Sequence, residues 1–156
     1  MRFKDTAHNI RLTEEFTVNI VSDALVEAMN ATAVPFPSGI DELAEAGVTA
    51  VPGTTVRCPR IGEAPVALEC RRYVGISVGK SREIILGKVL AVHVRANLVD
   101  SQSYHVDQGD LDAIGRMGGH GYARTREYFD LPTMSFSDWS ERRVAARRFR
   151  NCPKDT

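Results

Sequence analysis

IGRMGGHGYARTREYFDL, running from Ile114 to Leu131, brings glycines, an imidazole, phenols and guanidinium groups closer together than any other stretch of the chain. Gly115, Gly118, Gly119 and Gly121 leave the backbone free to turn through positive φ, and they remove the side chains that would hold a flat ligand at a distance. His120, Tyr122, Arg124 and Arg126 supply donors and aromatic faces, the set that a planar anionic ligand would use. The plainer reading is a glycine-rich turn ahead of a short helix, and composition alone leaves both open.

Upstream, the pattern is strongly β from Pro65. Val66, Leu68 and Cys70 alternate with Ala67, Glu69, Arg71 and Tyr73, which predicts a half-buried strand. From Glu83 to Val94 the residues are apolar on both faces, as in the interior of a barrel or sandwich. His93 interrupts that run and reads as a satisfied core or rim histidine. Between the two strands, Gly75 and Gly79 ahead of Lys80-Ser81 imitate a phosphate-binding loop. Only three residues separate the glycines and a strand follows, so Gly79-Lys80-Ser81 is expected to be a hairpin connection.

The front of the chain opens with a helix over Lys4 to Glu15, capped by Asp5 or Thr6, and a strand from Phe16 to Val21. A second helix is expected from Asp23 to about Ala33, capped by Ser22, with Leu25, Ala28 and Met29 on its inner stripe. A short one spans Ile40 to Ala46. The proline- and glycine-rich loop from Val51 to Pro65 is expected to be a surface excursion that wraps a neighbouring subunit. Its Arg57 and Arg60 either reach a phosphate or simply solvate the loop. Asn97 to Gln108 is polar, with a short strand at Tyr104 and Val106, and a brief helix runs through Leu111 and Ile114. Ser135 to Arg150 carries Trp139, Arg142, Arg143, Arg147, Arg148 and Arg150 at helical spacing behind Ser137 or Asp138 as cap, a basic terminal extension with a solvated face.

Composition excludes several classes. The chain has 156 residues, with twenty basic and twenty acidic side chains, so no global field favours nucleic acid or a membrane surface. No apolar run is long enough to span a bilayer and the charged start has no apolar segment behind it, so a cytoplasmic protein is expected. Cys58, Cys70 and Cys152 lack metal-ligand spacing, and the four histidines are dispersed, so no metal site is expected. No nucleophile elbow or paired catalytic carboxylate is visible, so no catalytic side chain is assigned.

The segment GRMGGHGYAR followed by YFDLP resembles the C-terminal signature of the flavin reductase-like family, flavoredoxin-like proteins that carry FMN on a split β-barrel. The likeness extends upstream through Lys4-Asp5-Thr6, Asn9-Ile10, the Phe16 to Val21 strand, Met29 to Thr32, the Phe36 to Val51 region and Pro65 to Glu69. The resemblance implies a mainly β (α+β) fold, an FMN-binding split β-barrel with flanking short helices over residues 1–134, followed by a basic C-terminal extension over residues 135–156. It implies FMN as cofactor and NAD(P)H as co-substrate, in an oxidoreductase that reduces flavin or a small acceptor. Lys4, Asp5, Thr6 and Asn9 would lie near the phosphate, and Gly118, Gly119, His120, Tyr122 and Arg124 near the flavin. A homodimer is implied, and a flavin-dependent monooxygenase component as a further partner.

Members of the family carry several strands before Lys-Asp-Thr, so the expected barrel is N-terminally incomplete. Three explanations follow, in order: a fragment or misassigned start, a degenerate paralogue that no longer binds FMN well, or strands borrowed by dimerisation. The alternative function is a non-catalytic FMN-binding or interaction module.

Overall fold

The computed structural model describes residues 5–37, 39–79 and 82–150. In chain order these form α1 (Asp5–Thr13), β1 (Glu15–Asn19), a 3-10 turn over Asp23–Leu25, α2 (Val26–Ala31), α3 (Glu42–Glu45), β2 (Ala50–Val51) and β3 (Arg60–Ile61). There follow β4 (Val66–Val78), β5 (Arg82–Val94), a 3-10 turn over Ala96–Leu98, α4 (Gln108–Leu111), β6 (Ile114–Arg116), β7 (Tyr122–Arg124) and α5 (Phe136–Arg150).

The long β4–β5 hairpin organises the rest. Its strands pair antiparallel from Val66↔Val94 to Val78↔Arg82, and β1 adds to β4 from Glu15↔Arg71 to Asn19↔Ala67, giving the order β1-β4-β5. The phosphate-loop imitation is therefore strand as far as Val78, with Gly79 turning at φ 68, while Lys80 and Ser81 lie outside the described residues. Two register shifts interrupt the hairpin, one between Glu69 and Cys70 and one between Arg72 and Val74. Each adds an unpaired residue to one strand and so changes which face the following side chains occupy.

Coverage of this sheet is uneven. α1 sends Ile10 into the core and lays Arg11 on Glu83, its Nε donating to Oε2 at 2.7 Å. Arg72 joins the same carboxylate at 3.3 Å and Glu14 at 3.0 Å. The Arg11 side chain is the main cause holding the Glu83 carboxyl below its usual range. The Phe16 ring lies over Gly87, where an added Cβ would come within 2.4 Å of it. The core among described residues is small: Ile10, Val56, Ala67, Cys70 and Leu98 are buried. Burial pushes the Cys70 thiol up. Leu98 alone is worth about 1.5–3 kcal/mol.

Several sequence expectations are corrected here. Asp5 and Thr6 are the first residues of α1 and not its cap. The helix expected over Asp23 to Ala33 is a 3-10 turn followed by six α-helical residues, and Ser22 makes no side-chain cap bond; it bridges Ala113 instead. Asp41 caps α3, its carboxylate accepting from the N–H groups of Leu43 and Ala44. Ile114 begins β6 and ends no helix, and no helix follows the glycine stretch until Phe136. Val106 forms only an isolated bridge to Val99. The cap of α5 is Ser135, whose Oγ accepts from the Asp138 N–H at 3.1 Å and donates to its carboxylate at 2.6 Å. Arg143 lies 5.1 Å from the Trp139 ring, while the side chains of Arg147, Arg148 and Arg150 are outside the described residues, as is Cys152.

The most consequential correction concerns exposure. β5 does not lie in an interior within the single chain: Ile84 is 53% exposed and Val92 57%, with Leu86 and Val89 close behind. Conversely, the Val51 to Pro65 loop is pinned to its own chain. β2 pairs with β3, Asn19 accepts from the Ile61 N–H at 3.0 Å, and Val56 is buried. Among the described residues no helix is long and apolar enough to cross a membrane.

Candidate functional site

The first turn of α1 opens onto two cavities. One, of about 640 Å³, is lined by Asp5, Thr6, His8 and Asn9 on the helix and by Phe36, Pro37 and residues 39–43 opposite. The other, of about 480 Å³, lies between the helix, the start of β1 and the loop after β2; Phe16 and Ile10 give it an apolar floor, and Thr17, Glu15, Arg57 and Cys58 a polar rim. Thr6 and Asn9 line both. Volumes of this size suit a small-molecule site. The N–H groups of a first helical turn, a hydroxyl and an amide are a donor set that fits a phosphorylated cofactor.

The loop over residues 53–58, which brings Arg57 and Cys58 to the second cavity, is built on a buried carboxylate. Glu69 is 0% exposed, and its oxygens accept from the backbone N–H groups of Thr54 at 2.8 Å, Thr55 at 2.6 Å and Val56 at 3.2 Å. The Thr55 hydroxyl donates to it at 2.6 Å, and His93 Nε2 stands 2.6 Å away, which requires the proton on that nitrogen. These donors, the Thr55 hydroxyl first, hold the Glu69 carboxyl far below the usual range. Gly53 makes the turn feasible, because a Cβ there would lie 2.4 Å from the Val56 carbonyl oxygen and 3.0 Å from that of Cys58. Farther along, Thr17 donates to the Cys58 carbonyl at 3.2 Å and Glu15 accepts from the Arg57 N–H at 2.9 Å. That N–H is the main reason the Glu15 carboxyl titrates low.

The glycine stretch is a β-hairpin. β6 pairs with β7 from Ile114↔Arg124 to Arg116↔Tyr122, and the turn closes through Met117 N–H to Gly121 O at 3.0 Å. Of its glycines only Gly119 uses positive φ, at 62°. Arg116 folds back on its own turn, donating to the Gly119 carbonyl at 2.6 Å and standing 4.6 Å from the Tyr122 ring centroid. The hairpin docks on the segment after β1: Ile114 N–H donates to Val21 O, Asp23 N–H to Asp112 O, and Arg124 Nε to Asp23 Oδ1 at 2.8 Å. Arg126 grips Asp112 through both carboxylate oxygens and is the main cause of that group's low pKa.

Asp5, Thr6 and Asn9 are thus brought together at one cavity. Gly118, Gly119, His120, Tyr122 and Arg124 are brought together on the hairpin, largely exposed, and none of them lines either cavity that contains Thr6. Lys4 lies outside the described residues. Sequence reasoning missed Glu69, His93 as its partner, and the fixed course of residues 53–58. A carboxylate directly beside a cysteine in the strand, between Leu68 and Cys70, was the available signal.

A model of the family described as flavin reductase like domain matches residues 1–113, ending just before the glycine hairpin. An uncharacterized protein of Deinococcus radiodurans is 45% identical over 140 residues, covering 88% of this chain and 61% of that protein. Among solved structures, 2-nitrobenzoate 2-nitroreductase of Pseudomonas fluorescens is 34% identical with a TM-score of 0.78, over 85% of this chain and 66% of that one. Nitrilotriacetate monooxygenase component B of Bacillus cereus is 29% identical with a TM-score of 0.76, over 82% and 65%. The chain therefore spans between 61% and 66% of the length of these relatives. Its strands and short flanking helices are those of the split barrel found in such structures.

Proposed function

The chain belongs to the flavin reductase-like family, and from that premise we propose that it is an FMN-dependent oxidoreductase that uses NAD(P)H to reduce flavin or a small acceptor. The observation that carries this reading is that the first turn of α1, with Asp5, Thr6 and Asn9, opens onto two cavities that share Thr6 and Asn9. Lys4, Asp5, Thr6 and Asn9 serve the phosphate end of the cofactor. Gly118, Gly119, His120, Tyr122 and Arg124 serve the ring, in the same chain or across a homodimer. When bound, the flavin supplies the hydride chemistry, so the protein needs no nucleophile of its own. Its residues bind, orient and exclude water. The likeness to a monooxygenase component supports a role in handing reduced flavin to such a partner.

The test is a titration of the purified chain with FMN, read by flavin fluorescence, followed by NADH and NADPH oxidation with FMN present. Saturable binding with nucleotide consumption is expected. Binding without consumption would replace the enzyme by a non-catalytic FMN-binding module, and absence of binding would remove both.

A further inference from the structure

The two cavities that share Thr6 and Asn9 differ in charge. The larger carries the carboxylates of Asp5, Asp41 and Glu42 with no described lysine or arginine among its lining. The smaller carries one carboxylate, Glu15, and one guanidinium, Arg57. A phosphate monoester is close to doubly charged at neutral pH, and carboxylates nearby oppose it while a guanidinium offers paired, charge-assisted hydrogen bonds. The smaller cavity is the one electrostatics favours.

The way Arg57 is presented supports the same conclusion. An arginine on a loose loop would lose much of its attraction to the entropy of being held. Here the loop is fixed at three places before any ligand arrives: residues 54–56 on the buried Glu69, the Arg57 N–H on Glu15, and the Cys58 carbonyl on Thr17. The side chain itself remains 82% exposed, with its Nε 3.4 Å from the Glu15 carboxylate. A fixed backbone with an outward guanidinium is a preorganised anion-binding arm.

We propose that Arg57 binds the phosphate monoester of a ligand seated between α1 and β1, and that Glu69 is the positioning residue that holds it there. This rests on the reading of the α1 cavities as a cofactor site. The phosphate is either that of FMN or the 2′-phosphate of NADPH. Both present the same dianion.

The experiment compares the full chain with Arg57→Gln, Glu69→Gln and Glu42→Gln, using FMN against riboflavin in fluorescence titrations and NADPH against NADH in steady-state assays. Arg57→Gln is expected to weaken FMN binding about tenfold, the loss of one charge-assisted contact, with riboflavin unchanged. If the 2′-phosphate is the ligand, the same loss falls on the KM for NADPH and spares NADH. Glu69→Gln should reproduce the selective loss, which general loosening of the fold would not, since that would weaken FMN and riboflavin alike. Equal effects on phosphorylated and unphosphorylated ligands, or none, overturn the proposal. So does tighter FMN binding in Glu42→Gln with Arg57→Gln unaffected, which would put the phosphate on the acidic side. A parent chain that binds neither flavin nor nicotinamide nucleotide fails earlier, and removes the functional reading together with the inference.

Discussion

Glu69 stands on the face of β4 that alternation assigns to polar side chains, yet none of it reaches solvent. Alternation told which residues share a face and could not tell which face would be covered, because the cover comes from residues 54–56, whose course depends on Gly53 and on the carboxylate itself. His93 was legible as a satisfied histidine, but its partner was not. The low titration of Glu69 has a consequence for stability. Its folded value is depressed below the ordinary 4.5, so the stability it contributes is complete above that pH and is lost as the pH falls through and below it. Urea midpoints of the parent chain and of Glu69→Gln are therefore expected to differ most at neutral pH and to draw together on acidification. A gap that stays constant would show that ionisation of Glu69 contributes nothing.

At the scale of elements, β1 and β4 were readable from apolar alternation, β5 from a run apolar on both faces, and the hairpin between the last two from the failure of the phosphate-loop spacing. The glycine stretch was readable as a turn but not as a hairpin. Its strands are three residues each, too short for periodicity, and their placement depends on Val21, Asp23 and Asp112, far away in sequence. The four glycines are also unequal. Gly119 holds φ 62, where a Cβ is strained whatever the space, whereas Gly118 keeps an ordinary φ with nothing within 4 Å of an added Cβ. Gly119→Ala should cost about 1 kcal/mol of stability in a urea titration. Gly118→Ala should stay within about 0.5 kcal/mol of the parent. Equal costs would mean that the turn is not formed as described.

For the whole molecule, the family and the split barrel were legible from local motifs, while the distribution of exposed apolar surface was not, since it depends on which elements lie over the sheet. The hairpin beyond β1 projects Val74, Ile76, Ile84 and Leu86, each more than a third exposed. If the proposed homodimer uses this arm, Ile84→Asp should leave the fold intact, because the side chain is already half outside, and reduce the species seen in sedimentation to a monomer. Unchanged sedimentation would exclude the arm from the contact. The register shifts in this hairpin decide something further. Val18, Leu68 and Val92 are cross-strand neighbours at the root, on the side opposite Glu69 and Ala91. Counting partners outward past both shifts, Val74, Leu86, Ile76 and Ile84 come out on the Glu69 side. The sheet is thus adhesive on its front at one end and on its back at the other, like a ribbon gummed on alternate sides. A single flat neighbour can quench one of these areas only, so full burial calls for either a companion that curls around the edge or two companions approaching from opposite directions.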